Sequence, residues 1–113
     1  MRRPWALVLA LLHMGLLFWL SHQPATGAGL PHPWDKAAHF LAYLLLGGLL
    51  GLGLGRWRAA FLGAFLYGVG DEWHQSFIPG REAFGWDLVA DALGAWVGAR
   101  WGGRWEAPEA SLP

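Results

Sequence analysis

Residues 59–82 read AAFLGAFLYGVGDEWHQSFIPGRE: twelve uncharged, mostly apolar residues, then two adjacent carboxylates, a histidine and an amide. The apolar part alone is too short to cross a bilayer, whose hydrocarbon core takes about 20 residues of helix. A crossing helix here must carry Asp71, Glu72 and Gln75 in its last turns, or end part-way. Ionisable groups at that depth are costly and suggest function by default. The reading of this stretch therefore decides whether a membrane helix carries a polar site in its last turns.

Composition favours the membrane. Of 113 residues, 55% are hydrophobic, 15% aromatic and only 14% charged, against roughly 25% charged in an ordinary soluble domain. One domain is the ceiling at this length, so residues 1–113 read as a single membrane domain. A soluble core of this size could not hide nine tryptophans and so many leucines without large exposed patches. The absence of cysteine excludes a disulfide framework and a thiolate metal site. A formal net charge of zero excludes a strongly basic nucleic-acid binder.

Working outward from 59–77, three further stretches suit membrane helices, at about 4–20, 36–55 and 86–102. The expected fold is all-α: a compact polytopic membrane helix bundle of four transmembrane helices. For the first stretch a cleaved signal is the alternative, because PATGAGL at 24–30 offers small residues to a peptidase. Orientation follows from Lys and Arg, which short cytoplasmic loops retain. Arg2 and Arg3 precede the first span, Arg56 and Arg58 separate the second from the third, and Arg100 and Arg104 follow the fourth. Those regions share one side, so both termini should be cytoplasmic and the chain a multi-pass membrane protein. Small residues recur every fourth position: Gly47, Gly51 and Gly55; Ala60, Ala64 and Gly68; Ala90, Gly94, Gly98 and Gly102. In lipid such stripes let helix backbones approach closely. They also leave homo-oligomer formation open.

The scarce polar residues then fall at one depth. On the second span Lys36, His39 and Tyr43 lie within two turns of its outer start, with His39 and Tyr43 sharing an i, i+4 face. Asp71, Glu72 and Gln75 end the third span; Asp87 and Asp91 begin the fourth. The outer cluster Asp35, Asp71, Glu72, Glu82, Asp87 and Asp91 faces only Lys36 and Arg81, a formal charge of −4. Such a group relaxes by protonation, by pairing or by binding a cation. Asp35 and Asp87 have a simpler reading as residues that complement a helix N-terminus. His39, Glu72 and Asp91 lie deeper, where capping does not explain them. His13, alone on an apolar span, reads as a packing histidine rather than a ligand.

At these positions the sequence resembles the VanZ-like family of small bacterial membrane proteins. The similarity rests on Asp35-Lys36 followed by His39 and Tyr43, then Asp71-Glu72, Gln75, Phe77 and Pro79-Gly80-Arg81, then Asp87 and Asp91 ahead of Gly94 and Gly98. The resemblance implies a polytopic bacterial protein related to an accessory factor of low-level resistance to the glycopeptide teicoplanin. This chain departs from the pattern at Asp91, where the family usually has Asn, and His74 lies outside it.

Three functional readings follow. In the first, an outward-facing recess built from Asp35, Lys36, His39, Tyr43, Glu72, Gln75, Arg81, Asp87 and Asp91 binds a lipid headgroup, a cell-wall precursor or a glycopeptide, with the bilayer as the other partner and no cofactor. The second makes it a membrane-embedded metal-dependent hydrolase or transferase on a lipid-linked substrate, with His39, Asp35, Glu72, His74 and Asp91 as oxygen and nitrogen donors. There is no HExxH motif to support it. The third is structural: a buried salt-bridge network that fixes helix register.

Overall fold

The structure, a computed structural model, describes residues 3–22, 34–78 and 85–104, following only the helix path at 21, 22, 34 and 35. Four helices make it up: α1 Pro4–His22, α2 Trp34–Leu54, α3 Trp57–Gln75 and α4 Trp86–Gly103. Each expected span coincides with one of them to within two residues. Among the described residues there is no strand. By length and composition one helical stretch, Lys36–Leu54, suffices to cross a membrane, and Pro4–Leu20 is a shorter apolar one.

Local chemistry explains the boundaries. Pro4 opens α1, where its missing N–H would have had no helical partner. Gly55 ends α2 with φ 70°, and its N–H donates to Gly51 O at 2.9 Å. A residue with a Cβ would be strained in that left-handed conformation. Arg56 then turns the chain in an extended conformation straight into α3, so α2 and α3 form a tight antiparallel pair. At the far end of α3, Ser76 N–H donates to the Glu72 and Trp73 carbonyls. Gly85, also at φ 70°, leads into α4.

The organising contact is between α2 and α4, which run parallel. A Cβ built on Gly94 would strike the Phe40 carbonyl; one on Gly98, the Leu44 carbonyl; one on Gly102, the Gly48 carbonyl. Gly47 and Gly51 answer from the other side against Ala95 and Ala99. Both glycine stripes thus serve a single seam in which backbone meets backbone. On α3 the buried face Ala60, Ala64, Gly68 continues without a break into Asp71, Glu72 and Gln75. On α4 the buried face begins at Asp91 and continues through Gly94, Ala95, Gly98, Ala99 and Gly102. The interior is therefore small residues along most of its length and polar at one end.

Large apolar side chains are on the outside. The buried hydrophobic set is Ala6, Ala10, Tyr43, Leu46, Ala60, Ala64, Ala95 and Ala99. Leu11 and Leu12 are 67% and 66% exposed, and Leu16, Trp19, Leu41, Leu62, Leu66, Trp86 and Leu93 are exposed with them. This inverts the usual partition of a soluble protein.

Opposite the polar end, the basic residues gather. Arg3 N–H donates to Gly53 O at 3.3 Å, so the start of α1 lies beside the end of α2. The guanidinium of Arg100 lies over the Trp57 ring at 4.6 Å and near Trp96 at 5.3 Å, and that of Arg58 over Trp57 at 4.9 Å. Cation–π stacking of this kind lets arginine sit against an apolar surface.

Candidate functional site

The polar end is assembled rung by rung along the α2–α4 seam. In the first rung Lys36 Nζ meets Asp87 Oδ1 at 2.7 Å. In the second, His39 Nδ1 donates to Asp91 Oδ1 at 2.8 Å. His39 Nε2 looks back toward Asp87 Oδ2 at 3.8 Å, so one imidazole bridges two carboxylates a turn apart on α4. The parallel course of α2 and α4 makes this possible, because residues one turn apart on each helix stay in step. Below these rungs the glycine contacts begin.

α3 supplies the third wall. Tyr43 OH donates to Asp71 Oδ2 at 3.4 Å, a long bond between buried groups. Glu72 and Asp91 are completely buried, Gln75 is 3% exposed and Asp71 8%. Gly68 allows α3 to come this close: a Cβ there would lie 3.2 Å from the Tyr43 ring and 3.5 Å from Asp91 Cβ. Asp71 and Glu72 both lie within electrostatic reach of Asp91. Burying this much carboxylate is costly unless cations or protons compensate it.

Next to the cluster is a cavity of about 160 Å³, lined on one side by Leu17, Leu20, Ala38 and Ala42 and on the other by His39, Tyr43, Asp71 and Gln75. α1 contributes its leucines because it is tied down nearby: His13 Nε2 donates to Ala42 O at 2.8 Å, and Tyr67 OH donates to Met14 O. His13 is thus a packing histidine. His74 stacks on Phe18, with ring centroids 4.6 Å apart.

Of the residues expected at the site, Lys36, His39, Tyr43, Glu72, Gln75, Asp87 and Asp91 converge at this end of the bundle. Arg81 and Glu82 lie outside the described residues, with Pro79 and Gly80, as does the side chain of Asp35. The convergence is also layered. His39, Tyr43 and Gln75 line the cavity, whereas Glu72, Asp87 and Asp91 do not. Sequence reasoning missed the roles of Leu17, Leu20 and Gly68. The stripe containing Gly68 was visible, but its contact with Tyr43 and Asp91 was not. One oxygen or nitrogen from each of His39, Glu72 and Asp87 falls within 4.8 Å of the other two, a spacing that can hold a metal ion.

A four-helix chain with a seam of glycines and alanines, an apolar exterior and a buried histidine–carboxylate cluster at one end defines the class of protein. The family profile described as VanZ/LLP1 matches residues 6–101, and the chain belongs to that family. No curated protein and no solved structure matches it.

Proposed function

We propose that this chain is a multi-pass protein of the bacterial cytoplasmic membrane whose polar end faces away from the cytoplasm and binds the polar head of a membrane-resident amphiphile. Family membership suggests a membrane protein linked to antibiotic resistance. The apolar exterior supports insertion, since lipid is the solvent that makes exposed Leu11, Leu12, Leu41 and Leu66 favourable. The separation of charge supports the orientation. Arg3, Arg58 and Arg100 gather at one end, and the carboxylates at the other, as retention of positive charge on the cytoplasmic side requires.

The observation that carries the binding role is the two-faced cavity. Leucines and alanines make one wall, and an imidazole, a phenol, a carboxylate and an amide the other. At about 160 Å³ it has room for a small polar head and the start of its apolar tail, and is well below the roughly 300 Å³ at which sites for drug-sized molecules begin. An entire glycopeptide is far larger than that. Any link to glycopeptide tolerance therefore runs through a lipid or lipid-linked cell-wall precursor, with Asp71 and Gln75 accepting hydrogen bonds from hydroxyl or amine groups.

Titration of dihexanoyl phosphatidylethanolamine and dihexanoyl phosphatidylglycerol into the purified full chain tests this by calorimetry. Saturable binding of one of them is expected. Binding should weaken at least about tenfold in Asp71→Asn, which removes a charged hydrogen-bond acceptor, and in Ala38→Phe, which fills the cavity from an exposed position. Absence of saturable binding, or equal binding to Ala38→Phe, would contradict the reading.

A further inference from the structure

We infer that His39, Glu72 and Asp87 form a binding site for one divalent metal ion, with Asp91 and Lys36 as the groups that orient its ligands. Three different helices supply the donors. Their atoms lie within 4.8 Å of one another. An ion at the centre of a triangle of that size would be about 2.8 Å from each corner, so side-chain shifts of under about 1 Å reach the 2.0–2.2 Å of zinc–nitrogen and zinc–oxygen bonds.

The surroundings carry the argument beyond a grouping of acidic residues. A metal-bound histidine almost always gives its other ring N–H to a carboxylate or carbonyl, which fixes the tautomer and turns the free nitrogen toward the ion. His39 has that arrangement: Nδ1 donates to the completely buried Asp91. Nε2 is thereby left as the lone-pair atom on the side of Asp87 Oδ2, 3.8 Å away. Asp87 is held in the same way from outside. Lys36 takes Oδ1 at 2.7 Å, leaving Oδ2 toward His39.

Charge gives an independent reason. Asp91 is completely buried, accepts from His39, and stands in one carboxylate cluster with Glu72 and Asp71. A buried carboxylate in that state is strongly unfavourable unless a cation stands nearby, and a dication on the other face of His39 supplies one through the imidazole. One nitrogen and two carboxylate oxygens suit Zn²⁺ or Mn²⁺. Three protein ligands leave a coordination position open. His39 also lines the cavity, so that position lies beside the proposed headgroup pocket. The metal site does not depend on that pocket's occupant.

The test uses the full chain in detergent, stripped with a chelator and titrated separately with Zn²⁺ and Mn²⁺ alone. One equivalent of one of these ions should bind, and the melting temperature should rise by about 5 °C or more at saturation. Glu72→Gln and Asp87→Asn should abolish both responses. Asp91→Asn, which removes no ligand, should weaken affinity by about 10–100-fold. Should the Glu72 variant fail to fold, wild-type Co²⁺ titration gives a second reading, with tetrahedral or five-coordinate d–d bands expected at one equivalent. No stoichiometric ion in the wild type, or unchanged affinity in Asp87→Asn, overturns the inference. Lipid binding that persists in the metal-free chain while no ion binds would overturn the metal site and leave the pocket standing.

Discussion

His39 and Asp91 are the pair through which the polar end is most tightly connected. They are 52 positions apart in sequence and 2.8 Å apart in space, and removing either leaves the other beside carboxylates without this bond. Their coupling should be measurable. In a double-mutant cycle of His39→Ala, Asp91→Ala and the double variant, read by thermal or denaturant unfolding in detergent, we expect an interaction of roughly 1–2 kcal/mol, within the range for residues in contact. Additivity within about 0.3 kcal/mol would mean that the bond contributes nothing. That these residues invite a functional reading was legible in the sequence, because a histidine and a carboxylate about one turn into an apolar span have few innocent explanations. Which atoms meet was not legible. The spacing of His39 and Tyr43 on one helix says nothing about the parallel register with α4 that gives His39 to Asp91 and Asp87 rather than to Asp71.

At the level of elements, glycine decides which helices touch. The α2–α4 seam has no side chain to yield, since the atoms facing Gly98 are the Leu44 carbonyl and the Gly48 backbone nitrogen. Gly98→Ala should therefore force the two backbones apart and destabilise the chain by about 1–3 kcal/mol, the usual range for overpacking. Gly15 is the internal control. Nothing lies within 4 Å of a Cβ there, so Gly15→Ala should be neutral, or stabilising by up to about 1 kcal/mol through helix propensity. Comparable melting shifts for the two variants would contradict the seam. The helices themselves were readable from length and hydropathy, and the small-residue stripes from their period. Their partners were not, because a Gly-x-x-x-Gly pattern specifies close approach without naming the helix that approaches. The apolar wall that α1 adds to the cavity left no sequence signal: Leu17 and Leu20 look like any other leucines of an apolar helix.

For the whole molecule, the account rests on polarity of two kinds: apolar residues outside and small ones within, carboxylates at one end and arginines at the other. Sequence carried the separation of charge, through the distribution of Arg3, Arg58 and Arg100, and of the first polarity only the apolar composition. The inside-out partition of Leu11, Leu12 and Leu66 became visible only with the fold. The chain lacks cysteine, so single cysteines can report topology without any background to remove. Ser76 and Arg58 are both exposed and stand at opposite ends of α3. The most direct measurement is the labelling of Ser76→Cys and Arg58→Cys by a membrane-impermeant maleimide in intact and permeabilised bacterial cells. The account predicts that Ser76→Cys reacts in intact cells, while Arg58→Cys reacts only after permeabilisation. The reverse pattern, or equal labelling at both ends in intact cells, would contradict a polar recess that opens away from the cytoplasm.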